Sequence, residues 1–349
     1  MRYYAGLDVS MKETFICIVN EKGKTFCQGQ VPSDPEAIAL YLKGAEVPIE
    51  KAAIESGSIS HWLVTELQKM DIPVICVDAR HMSSMLAMTV NKTDSNDAYG
   101  IANALRGGFV REVSLKPPLL VEINTILQSR SILVQERTKL KNAVRGLLKS
   151  FGIRISTTGQ KSFIKEVRTL IQDKPSSVKL AIDALLNTFE VIMEQIQVLE
   201  TRIYEIARED KNVQLLMTIP GVGVLTALSF IVALGNYERF EDSRNVAAYL
   251  GLTPRQYSSG EVQRMGRISK CGSRDARSLL VEAATVMLTR TRSWCKPKAW
   301  AMKLQRKKGF KKASVALARK LAVIMHRMLV NQEPFYFGEA PEELKEKIA

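Results

Sequence analysis

Three short β-prone runs open the chain, at residues 3–9, 14–19 and 24–30, parted by Ser10-Met11-Lys12-Glu13 and by Asn20-Glu21-Lys22-Gly23. The polar breaks, with Gly23 placed for a tight turn, predict an antiparallel meander. Alternating elements follow: Asp34 as the N-cap of a helix to about Leu42, a strand at 51–55, a helix near 59–70, a strand at 74–77 and a helix from about Asp94 to Leu105. Pro117-Pro118 then ends this region, because proline lacks an amide donor and restricts the residue before it.

The order of three antiparallel strands followed by alternating helix and strand is that of a ribonuclease-H-like domain. Beyond it the pattern changes to helical. Residues 121–151 hold no Gly or Pro until Gly146, and 178–217 place Leu180, Leu185, Ile192, Ile196, Leu199, Ile203 and Ile206 near helical spacing. The two stretches are expected to pair as an antiparallel coiled coil or to join one compact bundle, with the Gly-, Ser- and Thr-bearing segment 152–177 as their connection. Pro220-Gly221-Val222-Gly223 makes a turn into the apolar helix 225–234, and 246–329 reads as mostly helical around a loop at 253–272. The expected fold class is α/β plus all-α in three domains: residues 1–118, 119–217 and 218–349.

Composition changes this picture through charge. The 349 residues carry 50 Lys and Arg against 36 Asp and Glu, a formal +14. Residues 1–118 are close to neutral, with 12 basic and 14 acidic side chains, whereas 255–320 holds 18 basic residues against Glu261, Asp275 and Glu282. A solvated helix face explains a short charge run. Sixty-six residues of such imbalance, interleaved with Tyr257, Trp294, Trp300 and Phe310, point to a polyanion, whose counterions are released on binding and whose bases can stack. The longest apolar runs are far shorter than the roughly 20 residues of a membrane span, and no charged-then-apolar leader precedes the first strand, so a soluble cytoplasmic protein without membrane contact is expected. Five scattered cysteines form no Cys-x-x-Cys pair, and the three histidines, His61, His81 and His326, fit surface or core roles. A metal here would be held by oxygen.

Carboxylates supply the candidate chemistry. Asp8 ends the first strand and Glu55 ends the strand at 51–55, where an acidic side chain projects from a sheet edge. Asp94 and Asp97 lie three apart, on one face of a helix. Taken singly, Asp94 also fits a helix N-cap, Asp97 a first-turn partner of the helix dipole and Glu55 a surface residue. Four such groups together repel unless cations neutralise them; two Mg²⁺ or Mn²⁺ ions roughly 4 Å apart would do so and would stabilise the attacking and leaving oxygens of a phosphodiester.

The segments Gly6-Leu7-Asp8-Val9-Ser10, Ile54-Glu55-Ser56-Gly57, Lys92-Thr93-Asp94-Ser95-Asn96-Asp97-Ala98, Pro220-Gly221-Val222-Gly223 and Tyr249-Leu250-Gly251-Leu252-Thr253-Pro254-Arg255-Gln256-Tyr257-Ser258-Ser259-Gly260 resemble the DEDD-type transposases of insertion-sequence family 110, relatives of the Piv-type DNA invertases. The likeness covers nearly the whole chain. It implies an N-terminal RuvC-like domain of ribonuclease-H fold, a coiled coil and a helical C-terminal transposase domain. It also implies a metal site of Asp8, Glu55, Asp94 and Asp97, a nucleophilic Ser259, and a homo-oligomeric recombinase, dimer or tetramer, guided by a structured noncoding RNA that bridges target and donor DNA. Ser258 directly precedes Ser259, and Ser269 and Ser273 are further choices that also fit helix caps or phosphate contacts.

A serine hydroxyl needs a base or a metal to take its proton, and no histidine lies near Ser259 in sequence, which fits activation by the acidic site and hence a composite active site. Charge and proximity nominate Lys92, Arg255, Arg264, Arg267 and Lys270 for nucleic-acid contacts, with plain solvated surface as the other meaning. The Pro220–Gly223 turn resembles a helix-hairpin-helix hairpin and equally a tight turn between packed helices. Three rivals stand beside recombination: a metal-dependent DNA or junction nuclease using water, an actin-like ATPase or sugar kinase sharing Gly6-x-Asp8-x-Ser10, and a nucleic-acid binder without activity.

Overall fold

A computed structural model describes residues 1–87, 93–259 and 262–338, and divides the chain into two compact units, Met1–Leu115 and Lys116–Ala349. In the first unit the strands are β1 (Tyr3–Val9), β2 (Glu13–Asn20), β3 (Thr25–Pro32), β4 (Ile49–Glu55) and β5 (Val74–Val77). The helices are α1 (Pro35–Gly44), α2 (Ser60–Lys69), α3 (Ala79–Leu86) and α4 (Asp94–Arg106). The strands form one mixed sheet in the order β3-β2-β1-β4-β5, antiparallel through β3, β2 and β1 and parallel through β1, β4 and β5. This is the ribonuclease-H-like order read from the pattern. Side-chain alternation splits the sheet into two faces. Ala5, Leu7, Ala52 and Ile54 pack with Ile38 and Leu42 of α1 and Leu63 and Leu67 of α2. The opposite face, with Cys17, Val19 and Ala53, packs on Ala98, Ile101 and Ala102 of α4.

Asp34 caps α1 as expected, accepting from the Glu36 and Ala37 amides. At α4 the expectation shifts by one residue: Thr93 is the N-cap, its hydroxyl accepting from the Asn96 amide at 3.2 Å, so Asp94 is the first helical residue. The hydrophobic pattern gives no sign of α3, a short helix capped by Asp78.

The second unit holds α5 (Pro118–Lys149), α6 (Gln160–Leu170), α7 (Ser176–Glu209), α8 (Lys211–Met217), α9 (Val224–Leu234) and α10 (Ser243–Tyr249). A hairpin of β6 (Pro254–Ser259) and β7 (Val262–Ile268) follows, and then α11 (Arg274–Thr289), α12 (Lys296–Lys308) and α13 (Phe310–Asn331). Helices α5 and α7 run antiparallel: Ile123 shares a core with Ile203, Arg130 pairs with Glu200 at 2.6 Å, and Val144 and Leu148 meet Leu186 and Phe189. The expected connection 152–177 contains α6, whose Phe163, Ile164 and Val167 close a small separate core. The helix expected over 178–217 breaks at Asp210, which caps α8 by accepting from the Asn212 and Val213 amides. The expected loop at 253–272 is instead the β6–β7 hairpin, because its residues alternate on two strands rather than coil. The main core gathers Phe230, Leu280, Leu317, Leu321 and Met325 with Ile123 and Ile203. Among the described residues no helix is long and apolar enough to cross a membrane.

Candidate active site

The carboxylates are positioned by the mixed sheet. In the parallel pairing of β1 with β4, Leu7 faces Ile54. Asp8 and Glu55 come one step further along two neighbouring strands. Since Leu7 and Ile54 lie in the α1/α2 core, alternation turns Asp8 and Glu55 to the α4 face. Gly6 lies on that face too. A Cβ there would collide with the Ala98 carbonyl oxygen and the Ala102 amide nitrogen, so only glycine lets α4 come this close to β1.

That approach brings the start of α4 to the same edge. Asp97 directly precedes Ala98 and is 8% exposed, the one buried acid among the described residues. Asp94 is exposed, one turn earlier. Both occupy the first turn of the helix, where unsatisfied amides favour negative charge. Three of the four acids thus project from one face at the sheet edge or just above it, with Asp94 at the rim. The donor set is all oxygen, as a hard divalent cation requires. Among the described residues no three acidic, histidine or cysteine side chains are grouped so that they could hold a metal ion, so the candidate rests on donor chemistry and strand-end placement alone.

The second unit carries the nucleophile and phosphate candidates. Ser259 ends β6 and pairs with Val262 of β7, while Ser258 pairs with Gln263. Arg255, Arg264, Arg267 and Lys270 are all exposed on or beside this hairpin, and Tyr257 and Met265 are 60% and 66% exposed. Lys92 lies outside the described residues. Ser269 donates its amide to the Thr253 carbonyl, and Ser273 caps α11 by accepting from the Ala276 amide at 3.2 Å.

The hairpin is rooted by close backbone packing. Gly251 and Gly272 both have positive φ, and a Cβ on either would strike backbone of the facing loop. Arg277 of α11 donates through Nη1 to the carbonyls of Leu250, Cys271 and Ser273 at 3.0, 2.8 and 3.3 Å. Desolvation by this partial burial pulls its pKa down from the usual guanidinium value. Sequence reasoning missed this arginine, whose neighbours are created only by the fold. The hairpin left a signal that could have been found: β-compatible residues on both sides of Ser259-Gly260. Gly221, in the turn from α8 to α9, has φ +89°, and a Cβ there would meet the Ala283 carbonyl oxygen of α11 at 2.7 Å, so this turn is a packing element. His326 is buried, with one ring nitrogen on the Ser243 hydroxyl and the other on the Tyr237 carbonyl, each at 2.9 Å.

The aromatic residues of the basic stretch reach the surface. Trp300 is 41% exposed with the Lys320 ammonium 4.7 Å from its ring centre, and Arg306, Lys307 and Lys308 end α12.

The chain is similar to known transposases. A family model of IS110-type DEDD transposases matches residues 5–153, and one for transposases of the IS116/IS110/IS902 family matches residues 213–299. The transposase for insertion sequence element IS1111A of Coxiella burnetii is 30% identical over 340 residues, covering 95% of this chain and 91% of that protein. The pilin gene-inverting protein of Moraxella bovis is 32% identical over 124 residues, 35% of this chain and 38% of its own. Among solved structures, RuvC of Thermus thermophilus aligns with 32% of this chain and 99% of its own at 15% identity and a TM-score of 0.24. With two family models on it and a relative 30% identical over 95% of this chain, the chain belongs to the IS110 family of transposases.

Proposed function

We propose that the protein is a recombinase of an insertion sequence that cleaves and rejoins DNA through a covalent phosphoserine at Ser259, with Asp8, Glu55, Asp94 and Asp97 holding Mg²⁺ or Mn²⁺. One observation carries the reading: Asp8 and Glu55 follow a paired Leu7–Ile54 on neighbouring parallel strands, on the face where Gly6 admits the helix bearing Asp94 and Asp97. A bound divalent cation would supply charge neutralisation among these carboxylates and polarisation of a phosphate oxygen. The chain's own residues do the remainder. The Ser259 oxygen forms a bond to phosphorus, the bond from phosphorus to the 3′-oxygen breaks, and the 3′-hydroxyl leaves while the 5′-phosphate stays on serine. A base takes the serine proton as the new bond forms and the departing 3′-oxygen takes one up, so the exchange is proton-neutral and the ester keeps the bond energy for rejoining. Arg255, Arg264, Arg267 and Lys270, exposed on or beside the hairpin that carries Ser259, hold the flanking phosphates, and Lys92, two residues before Asp94 in sequence, is a further phosphate contact.

In this reading a structured noncoding RNA selects donor and target DNA, the α5–α7 pair serves as the family's coiled coil, and the protein works as a homo-oligomer in the cytoplasm. The experiment combines purified protein, the transcript flanking its gene, matched DNA sites and Mg²⁺. Strand exchange and a protein–DNA adduct are expected, both lost in Ser259→Ala and in Asp8→Asn. Cleavage retained by Ser259→Ala without an adduct would replace the recombinase with a water-using nuclease. Similarity to the pilin gene-inverting protein favours a second arm with sites in inverted orientation, read as inversion.

A further inference from the structure

Charge is segregated within the helical unit in a way that its overall balance hides. Residues 137–179 hold eleven basic side chains and two acidic ones, whereas the flanking stretches 119–136 and 180–219 together hold four basic and nine acidic. The fold gathers this segment at one end of the unit, because α6 folds back on the C-terminal turns of α5 and the N-terminal turns of α7. On α5, Arg137, Lys141, Arg145 and Lys149 recur every four residues and make one slowly winding stripe. On α6, Lys161, Lys165 and Arg168 share the face opposite the buried Phe163, Ile164 and Val167.

Little within the protein answers this charge. Of the eleven, only Lys139 and Arg168 form ion pairs among the described residues, with Glu136 and Glu190. Glu166 is committed elsewhere: its carboxylate accepts from the amides and hydroxyls of Ser156 and Thr157, which hold its pKa down from an ordinary 4.5 to about 2. Lys141 and Arg145 donate to the carbonyls of Thr158 and Thr157 and so fix the segment before α6 as a platform. The Arg145 Nε remains buried without a partner. Burial first, and the neighbouring Arg145 and Arg137 next, lower the Lys141 pKa, as expected of cations crowded together.

We propose that this end of the helical unit is a second nucleic-acid surface, separate from residues 255–320, which holds the phosphate backbone of duplex DNA without reading its sequence. The charged heads stand on helix faces, and Phe163 lies buried beneath Lys141 and Arg145. Apart from Phe151 the surface has no exposed aromatic ring, unlike the stacking platforms that take single strands. Family membership supplies the class of duplex.

The test measures binding of the full-length protein to an arbitrary duplex DNA of about 30 base pairs, in EDTA so that cleavage is silent, over a salt series. The variant Lys149→Gln/Arg154→Gln/Lys161→Gln/Lys165→Gln removes four exposed charges from the surface. Lys22→Gln/Lys24→Gln/Lys43→Gln/Lys51→Gln removes four exposed charges from the first unit as a control. The surface variant is expected to reduce the slope of log K against log salt by about 3 to 4, and to weaken binding at least about tenfold for every sequence, with the control near wild type. Circular dichroism checks folding; if the quadruple variant loses helix, Lys161→Gln/Lys165→Gln is expected to give about half the change in slope. Equal slopes for variant and control would overturn the proposal. So would a loss confined to an RNA duplex of the same length.

Discussion

A single missing carbon at Gly6 determines how close α4 comes to the strand that carries Asp8. Its substitution cannot be absorbed by rotating a side chain, since the obstructing atoms are backbone of Ala98 and Ala102. Gly6→Val is therefore expected to cost about 2–3 kcal/mol in urea unfolding, in the range of overpacked cores. It should also weaken divalent-ion binding, because Asp97 moves away with the helix. An unchanged urea midpoint would show that α4 can shift freely. Thr93 works beside it at a smaller scale, since it satisfies the Asn96 amide and leaves Asp94 and Asp97 free of the capping role.

Among the elements, the β6–β7 hairpin is held mainly at its root. A lone two-stranded hairpin is marginal in water, and Arg255, Tyr257, Arg264 and Met265 are all exposed. Its order depends on the backbone contacts of Gly251 and Gly272 and on the three carbonyls served by Arg277. Arg277→Ala is expected to destabilise the second unit by about 1–3 kcal/mol, with amide exchange rising most over 254–268. Uniform exchange changes across the unit would contradict a rooting role. Apart from α3, the elements of the first unit are legible from sequence because they use local signals: alternation in β1 and β2, Asp34 as a cap, and a short apolar run in β4. The hairpin is harder to read, because Arg255, Tyr257, Arg264 and Met265 are exposed and impose no apolar–polar rhythm, which leaves only the β-compatible residues around Ser259-Gly260 as a signal. Helix α6 is hidden because the Gly, Ser and Thr residues around it outweigh the spacing of Phe163, Ile164 and Val167. For the candidate site, residue types and strand-end positions can be read from the chain, whereas the approach of Gly6 to Ala98 and the grip of Arg277 arise only from tertiary packing.

At the scale of the whole molecule, the formal +14 combines two opposite balances. Residues 1–115 hold 11 basic and 14 acidic side chains, and residues 116–349 hold 39 and 22. All four candidate metal ligands lie in the acidic unit. Adding Mg²⁺ or Mn²⁺ is therefore expected to protect amides of 1–115 from exchange and leave those of 116–349 unchanged. The gain should approach about 2.7 kcal/mol at a hundredfold excess over Kd, and should disappear in Asp8→Asn. Equal protection of both units would place the ion elsewhere.

The exposure of Arg255, Tyr257, Arg264 and Met265 on the hairpin has one more consequence. An element with few apolar contacts opens at a free energy well below that of the core beneath it. Opening of the hairpin is expected to leave Phe230, Leu280 and Leu321 buried, so amide exchange over β6 should run ahead of exchange in the core that carries it.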